Sequence, residues 1–337
     1  MLTPPGVAGS RSLEDGAAGD PASSGAAPRR VIQGRSPWLL AFERFRRDRF
    51  ALVALGVIVL IVCAAIFAPL IAAGTGHGVN TQYSTAGLTA TGLPRPPSAV
   101  FPLGTDDLGR TLLVRVAYGA RVSLMVGVLA TLLTVTIGAA LGLVAGYFGR
   151  AVDTLIARAV DVMLSIPFLL FAIALASVVS VTPLHLGPLT LGQGVPIVVL
   201  VIGIFSWATV ARVVRGQVIA IRNREYIEAA RAMGASSWRI IVVDVLPNVL
   251  PTIIVYATLL IPVSIVAEAA LSYLGVGVPP PTADWGAMIA EAQSYYQQAW
   301  WFLAFPSIAL LLTTLAFNVV GDGVRDAIDP RATGFRP

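Results

Sequence analysis

The sequence predicts an all-α membrane protein with six transmembrane helices and both termini in the cytoplasm. Three observations carry that expectation. Hydrophobic residues make up 56% of the 337 and charged residues only 12%, where a soluble domain carries roughly a quarter charged. Six apolar runs are long enough for helices that cross a bilayer core of about 30 Å. All 23 basic residues are arginine, and they distribute unevenly between alternate loops. The high pI would suit nucleic acid, but the arginines flank the apolar runs instead of forming a patch with interleaved aromatics, so no nucleic-acid partner is expected.

The amino-terminal segment is a different material. Met1 to Arg30 contains 19 Pro, Gly, Ala or Ser residues and no aromatic one, so residues 1–37 are expected to be a disordered cytoplasmic tail. No stretch in it is long enough for the core of a secretory signal, and the first span is expected to be retained as an anchor. Residues 38–49 form a basic juxtamembrane segment, residues 50–331 the six-span domain, and residues 332–337 a short cytoplasmic tail.

The six runs are Phe50 to Ile71, Val122 to Phe148, Val162 to Val181, Val195 to Val213, Val249 to Leu274 and Trp301 to Val320. Pro167 and Pro183 shorten the third. Internal prolines at 167, 251, 262 and 306 are tolerated where neighbouring helices or water take up the freed carbonyls, which points to a helical bundle around a cavity. Nineteen arginines fall on one side and four on the other, the four at Arg95, Arg110, Arg115 and Arg121. The arginine-rich side is read as cytoplasmic. Trp285, Tyr295, Tyr296, Trp300 and Trp301 cluster on the outer side, where amphipathic rings favour the headgroup layer. Gly142 and Gly146 have the spacing of a small-residue helix contact.

The first outer loop has two parts. Up to Ala99 it reads as coil. From Thr105 a surface helix is expected, capped by Thr105 or Asp106, with Leu108, Leu112, Val116 and Ala120 as its apolar stripe. The same loop offers Asp106, Asp107 and Arg110, which suit either helix capping or contact with a docked protein.

The fourth loop, residues 212–247, is the only extended hydrophilic stretch between spans. A short amphipathic helix is expected between Arg222 and Met233, with Ile227, Ala230 and Met233 on one face and Arg224, Glu228 and Arg231 paired along the other. Gly234 supplies a left-handed stop, and Ser236 or Ser237 caps a second helix that enters the fifth span through Leu246 and Pro247.

Other candidates are sparse. Glu268 is the only acidic residue well inside a span, suited to a helix interface or to the translocation path. Cys63 lies in an apolar run as a small buried hydrophobe. His77 and His185 lack ligand-spaced neighbours, so no metal site and no catalytic residue is expected. Asp322, Arg325, Asp326, Asp329 and Arg331 follow the last span, suited to surface pairing or partner contact. A P-loop requires a lysine, and the sequence has none, so any ATP and Mg2+ would be held by partner subunits and not by this chain.

Glu228-Ala229-Ala230, then Gly234, then Leu246-Pro247 resembles the EAA motif of binding-protein-dependent ABC importer permeases. Four further stretches, Pro102 to Leu124, Ile265 to Gly277, Asp284 to Ala292 and Phe317 to Arg331, resemble the peptide/nickel-type members, the dipeptide and oligopeptide permease C group. The sequence departs from that pattern at Thr111, where an acidic residue is usual, at Val114 for Ser, and at Asp244 for His.

The resemblance implies a type I importer (MetI-like) fold in the inner membrane of a prokaryote. It implies ATPase coupling through Glu225, Ile227, Glu228, Ala229, Ala230, Met233, Gly234, Leu246 and Pro247. It further implies a second homologous permease subunit, two ATP-binding-cassette ATPase subunits and an extracytoplasmic substrate-binding protein, which Asp106, Asp107 and Arg110 would contact. The implied cargo is di- or oligopeptides, with nickel chelates, glutathione or haem as alternatives. The competing functional class is an ion-coupled secondary transporter, for which Glu268 would be the coupling carboxylate.

Overall fold

A computed structural model describes residues 37–181, 184–186, 189–191 and 194–328, with side chains omitted at residues 37, 176, 179–181, 184–186 and 189–191. The expected disordered tail, Pro183, and the stretch holding Asp329 and Arg331 lie outside the described residues, apart from Pro37. Five described helices are long and apolar enough to cross a membrane, and a bent pair makes a sixth.

Helix α1 (Pro37–Phe45) precedes α2 (Arg49–Ile66). Asp48 starts α2 by accepting from the Phe50 and Ala51 N–H groups at 2.9 and 3.1 Å, replacing the carbonyl partners that a first turn lacks. The first apolar run is not one helix. It breaks at Phe67, and α3 (Ala68–Thr75) begins with a proline in its first turn, the position where a missing N–H costs nothing. Cys63 is exposed on α2 and is not the buried hydrophobe expected.

The loop that follows is packed, not loose coil. His77 stacks on Phe101 with centroids 5.0 Å apart, and the Thr105 hydroxyl donates to the Gly87 carbonyl at 2.6 Å. The expected surface helix from Thr105 does not form. Gly104 and Gly109 take φ of 81° and 74°, values that interrupt a right-handed helix. Helix α4 instead starts at Leu112, with Thr111 in the N-cap position but making no side-chain cap bond, and runs unbroken to Phe148. Its 37 residues span about 55 Å at 1.5 Å per residue, so the second half of the expected surface helix and the second span are one rod.

A left-handed Gly149 turns the chain into α5 (Arg150–Ser165), and α6 (Phe168–Val181) follows at 86°. The bend has a local cause. Pro167 excludes the helical conformation at the residue before it, and Ile166 sits at φ −91°, ψ 125°. A hairpin of β1 (Leu184–Leu186) and β2 (Leu189–Leu191) pairs His185 with Thr190 in the outer loop. With isolated bridges at Leu88–Pro94 and Thr105–Thr111, it departs from the all-helical expectation among the described residues.

Helix α7 (Val195–Arg222) lies against α4 more extensively than any other pair. Gly138, Gly142 and Gly146 let it do so: a Cβ on each would fall 2.6, 2.8 and 2.6 Å from the Cβ of Val210, Val214 and Val218. The i, i+4 spacing on both helices interlocks one ridge with the other. Helices α8 (Glu225–Ala232) and α9 (Ser237–Arg239) follow, then a π-helical turn at Ile240–Val245, then α10 (Leu246–Tyr273) with Pro251 and Pro262 inside. A short α11 (Trp285–Ala292) precedes α12 (Trp300–Ile328).

Helix α10 packs on α4, α11, α12 and α7, and α12 covers α2. Apolar side chains on the outer surface, such as Phe50, Leu132, Leu155 and Leu170, remain exposed, as expected where the solvent is hydrocarbon. The outer aromatics divide. Tyr296 and Trp300 are exposed and free to meet headgroups, but Trp285 and Trp301 are buried, and Trp285 Nε1 donates to the Val116 carbonyl at 3.0 Å.

Candidate functional site

The fourth loop is built on one buried anchor. Ile227 is fully buried among Val214, Val218, Ile240, Ile241 and Val245, with Ala230 and Leu246 packed against the same cluster. This fixes one side of α8 to α7 and to the start of the fifth span. The other side is open: Glu225, Glu228, Ala229 and Met233 are exposed, Met233 at 81%. Glu225 and Glu228 fall in the first turn, where the positive end of the helix dipole favours carboxylates.

The exit from α8 is set by backbone hydrogen bonding. The Gly234 N–H donates to the Arg231 carbonyl and the Ala235 N–H to the Ala230 carbonyl, both at 3.0 Å. That pair of bonds is a Schellman stop and needs a left-handed residue between the helix and its exit. Gly234 supplies it at φ 81°. No atom lies within 4 Å of the position a Cβ would take there, so the requirement is conformational and not one of space. Ser236 then caps the next helix, its Oγ accepting from the Arg239 N–H at 3.4 Å.

The entry into α10 also has a sequence cause. Pro247, exposed in the first turn, has no N–H to continue an α-helical ladder, and the turn just before it is π-helical. The expected pairing of Arg231 along α8 is not seen. Its guanidinium instead lies 5.2 Å from the centre of the Tyr147 ring at the end of α4. Two ion pairs that the sequence reading missed join α5 to α7. Arg215 grips both oxygens of Asp153, Nη2 to Oδ2 at 2.8 Å, and Arg212 meets Asp161 at 2.9 Å. The charges were visible, but their register depends on the bend at Pro167.

That bend also opens a cavity of about 320 Å³ between α5, α6, α7 and α10. Its wall is apolar at Met163, Phe168 and Phe205 and carries hydroxyls at Ser206, Thr209 and Ser264. An apolar wall with few hydroxyls offers hydrogen bonds without a fixed charge.

In the first loop, Asp106 and Arg110 are turned inward. Asp106 is fully buried and accepts from the Arg110 backbone N–H at 2.8 Å and from Arg110 Nε, with Arg115 Nε 3.3 Å away in an ion pair. Arg110 Nη2 also donates to Glu291 on α11 at 3.2 Å. Asp107 and Leu108 are the parts of this segment left partly open. The carboxylates of Asp106, Asp107 and Glu291 offer oxygens within 4.8 Å of one another, but Arg110 and Arg115 lie among them. Burial pushes the Asp107 carboxyl above its ordinary value, and the Asp106 charge adds to it. Burial likewise raises Glu291, with Arg115 and Arg110 opposing.

Glu268 sits at an interface. It is fully buried, accepts from Ser123 on α4 at 2.9 Å and from Ser272 at 3.0 Å, and has the Asp284 carboxyl at the start of α11 as a neighbour. Arg325 and Asp326 on the end of α12 are not among the described ion pairs.

Residues 138–334 match the family of binding-protein-dependent transport system inner membrane components, and residues 36–89 match the N-terminal transmembrane domain of oligopeptide transport permease C. The chain is 39% identical to a dipeptide transport system permease protein of Alkalihalophilus pseudofirmus, covering 88% of this chain and 90% of that one. It is 38% identical to an oligopeptide transport system permease protein of Bacillus subtilis, covering 92% and 95%. A di/tripeptide transport system permease protein of Pseudomonas aeruginosa is 38% identical over 88% of this chain and 93% of its own. Among solved structures, an inward-facing MetNI methionine ABC transporter chain superposes with a TM-score of 0.51 at 20% identity, covering 64% of this chain and 96% of that chain.

Proposed function

The chain belongs to the binding-protein-dependent transport system inner membrane components, and from that membership we propose that it is the permease subunit of an ABC importer carrying di- or oligopeptides, coupled to its ATPases through α8. The observation that carries the coupling is the construction of the fourth loop. One face of α8 is locked to the spans by Ile227, and the other presents Glu225, Glu228, Ala229 and Met233 for docking. A rigid stop at Gly234 and the continuous path through Ser236, Leu246 and Pro247 would pass a displacement of α8 into α10 as a rigid-body motion.

In this reading both termini and α8 are cytoplasmic. A homologous permease pairs with the chain, two ATP-hydrolysing subunits each receive one coupling helix, and a substrate-binding protein delivers cargo on the outer side. ATP and Mg2+ are held by those subunits. The peptide assignment draws on the peptide permease relatives, and the cavity at the Pro167 bend, apolar with three hydroxyls and no charge, suits an uncharged backbone with varied side chains. An ion-coupled carrier would use Glu268, yet that carboxylate is occupied by Ser123 and Ser272 at a helix interface.

The test is peptide uptake into vesicles containing the chain and its companion permease, with and without the ATPase subunits. ATP-dependent uptake only when those subunits are present is expected. Uptake driven by an ion gradient in their absence would overturn the reading.

A further inference from the structure

At the end of α4, the chain builds a cleft of about 470 Å³ whose lining includes Tyr147, Gly149, Arg150, Arg222, Arg231 and Ser237. Three arginines line it, and among the described residues none of the three forms an ion pair. The contrast with their neighbours is informative. Arg212 and Arg215 on the same helix α7 each have a carboxylate, and Asp153, the acidic side chain electrostatically coupled to Arg222, is already committed to Arg215.

The arginines are held by neutral groups instead. Arg222 Nη1 donates to the Gly146 carbonyl at 2.8 Å and crosses Gly149, where a Cβ would fall 2.8 Å from it. Arg231 is placed by the Tyr147 ring. Arg150 is the one non-glycine residue with positive φ, 49°, among the described residues. A neutral carbonyl and a ring position a guanidinium without cancelling its charge, so the cleft keeps about three positive charges and free N–H donors. Such an arrangement is complementary to a phosphate oxygen set and gains shorter, stronger bonds from it than from a neutral ligand.

We propose that this cleft binds a phosphate group, carried by the headgroup of an anionic phospholipid or by soluble phosphate. The surroundings are consistent with a lipid: Phe148 lines the cleft, and Val152 and Leu155 on α5 are exposed beside it at 40% and 73%, a path for acyl chains next to a headgroup. The inner leaflet supplies such lipids and attracts juxtamembrane arginines. Placement on the cytoplasmic side rests on the orientation given under Proposed function. The phosphate chemistry does not.

The test uses the purified full chain in two arms. In one, the delipidated chain is exposed to phosphatidylglycerol–phosphatidylcholine vesicles or to phosphatidylcholine alone, and retained lipid is read by native mass spectrometry. In the other, inorganic phosphate is titrated calorimetrically into the chain in phosphatidylcholine nanodiscs. Arg150→Gln/Arg231→Gln, which leaves the Arg222 bond to Gly146 intact, is compared with Arg150→Lys/Arg231→Lys, and circular dichroism confirms that both fold.

Selective retention of phosphatidylglycerol, reduced about tenfold or more in the glutamine variant and largely kept in the lysine variant, supports a lipid headgroup. Saturable phosphate binding with the same variant pattern supports the soluble source. Equal retention by the wild type and the glutamine variant in both arms would overturn the proposal. So would loss of ATPase docking in that variant with both phosphate readouts unchanged, which would assign the cleft to an acidic protein side chain. Failure of peptide uptake would leave the binding readouts unaffected, so the two readings fail separately.

Discussion

Gly234 shows how much of the fourth loop depends on one backbone angle. Its φ of 81° costs a residue with a Cβ roughly 1–2 kcal/mol, and a β-branched one is the least tolerant of it. Gly234→Val is therefore expected to distort the α8 exit while leaving membrane insertion intact, so ATP hydrolysis by the assembled complex persists and uptake falls about tenfold or more. Parallel hydrolysis and uptake assays check this. Glu291 gives a second residue-scale expectation. Its folded-state value is raised by burial, so the folded chain holds protons that the unfolded chain has released. Stability contributed at this site falls as pH rises through the raised value and recovers as pH falls towards the ordinary carboxylate value of about 4.3. Thermal unfolding followed against pH should show that trend for the wild type and a flatter one for Glu291→Gln. The left-handed stop at Gly234 and the cap at Ser236 were legible in the sequence because each depends on the residue's own chemistry. The inward turn of Asp106 and Arg110 was not, because their partner Glu291 lies 181 residues away from Arg110.

Elements were legible in proportion to how local their causes are. Apolar runs identified every described span, since burial in hydrocarbon leaves little choice but helix. The start of α4 was misplaced because the apolar stripe from Leu108 was read through Gly109, whose positive φ interrupts a helix there. The break at Phe67 goes with Pro69, which the sequence reading passed over, and the 86° bend with Pro167, which it noted, but the size of a bend is set by what packs against it. The glycine ridge of α4 was partly legible: Gly142 and Gly146 had the right spacing, and only the structure names α7 as the partner. A Cβ at Gly142 would fall 2.8 Å from both the Ala211 carbonyl oxygen and the Val214 Cβ. Gly142→Leu should accordingly force the two helices apart at a cost of about 1–3 kcal/mol or more. Size-exclusion-monitored thermal unfolding would report it, with Leu132→Ala on the 61%-exposed lipid-facing surface expected to unfold near the wild-type temperature.

As a whole molecule, the chain keeps three features apart in its fold. A charged network ties the outer loop to α11, a cavity lies at the Pro167 bend, and the fourth loop hangs from the ends of α4 and α7 by Ile227, Arg231 and Leu246. The sequence lacks the lysine a P-loop needs, and in the proposed function the exposed face of α8 is where the ATPase docks. That claim can be measured directly. A photo-crosslinking residue is placed at Met233, 81% exposed on the loop, or at Leu132, 61% exposed on a span, and irradiated in membranes containing the assembled complex. The account predicts a crosslink to an ATP-hydrolysing subunit from position 233 and none from position 132. No crosslink from 233, or equal crosslinking from both, would contradict it.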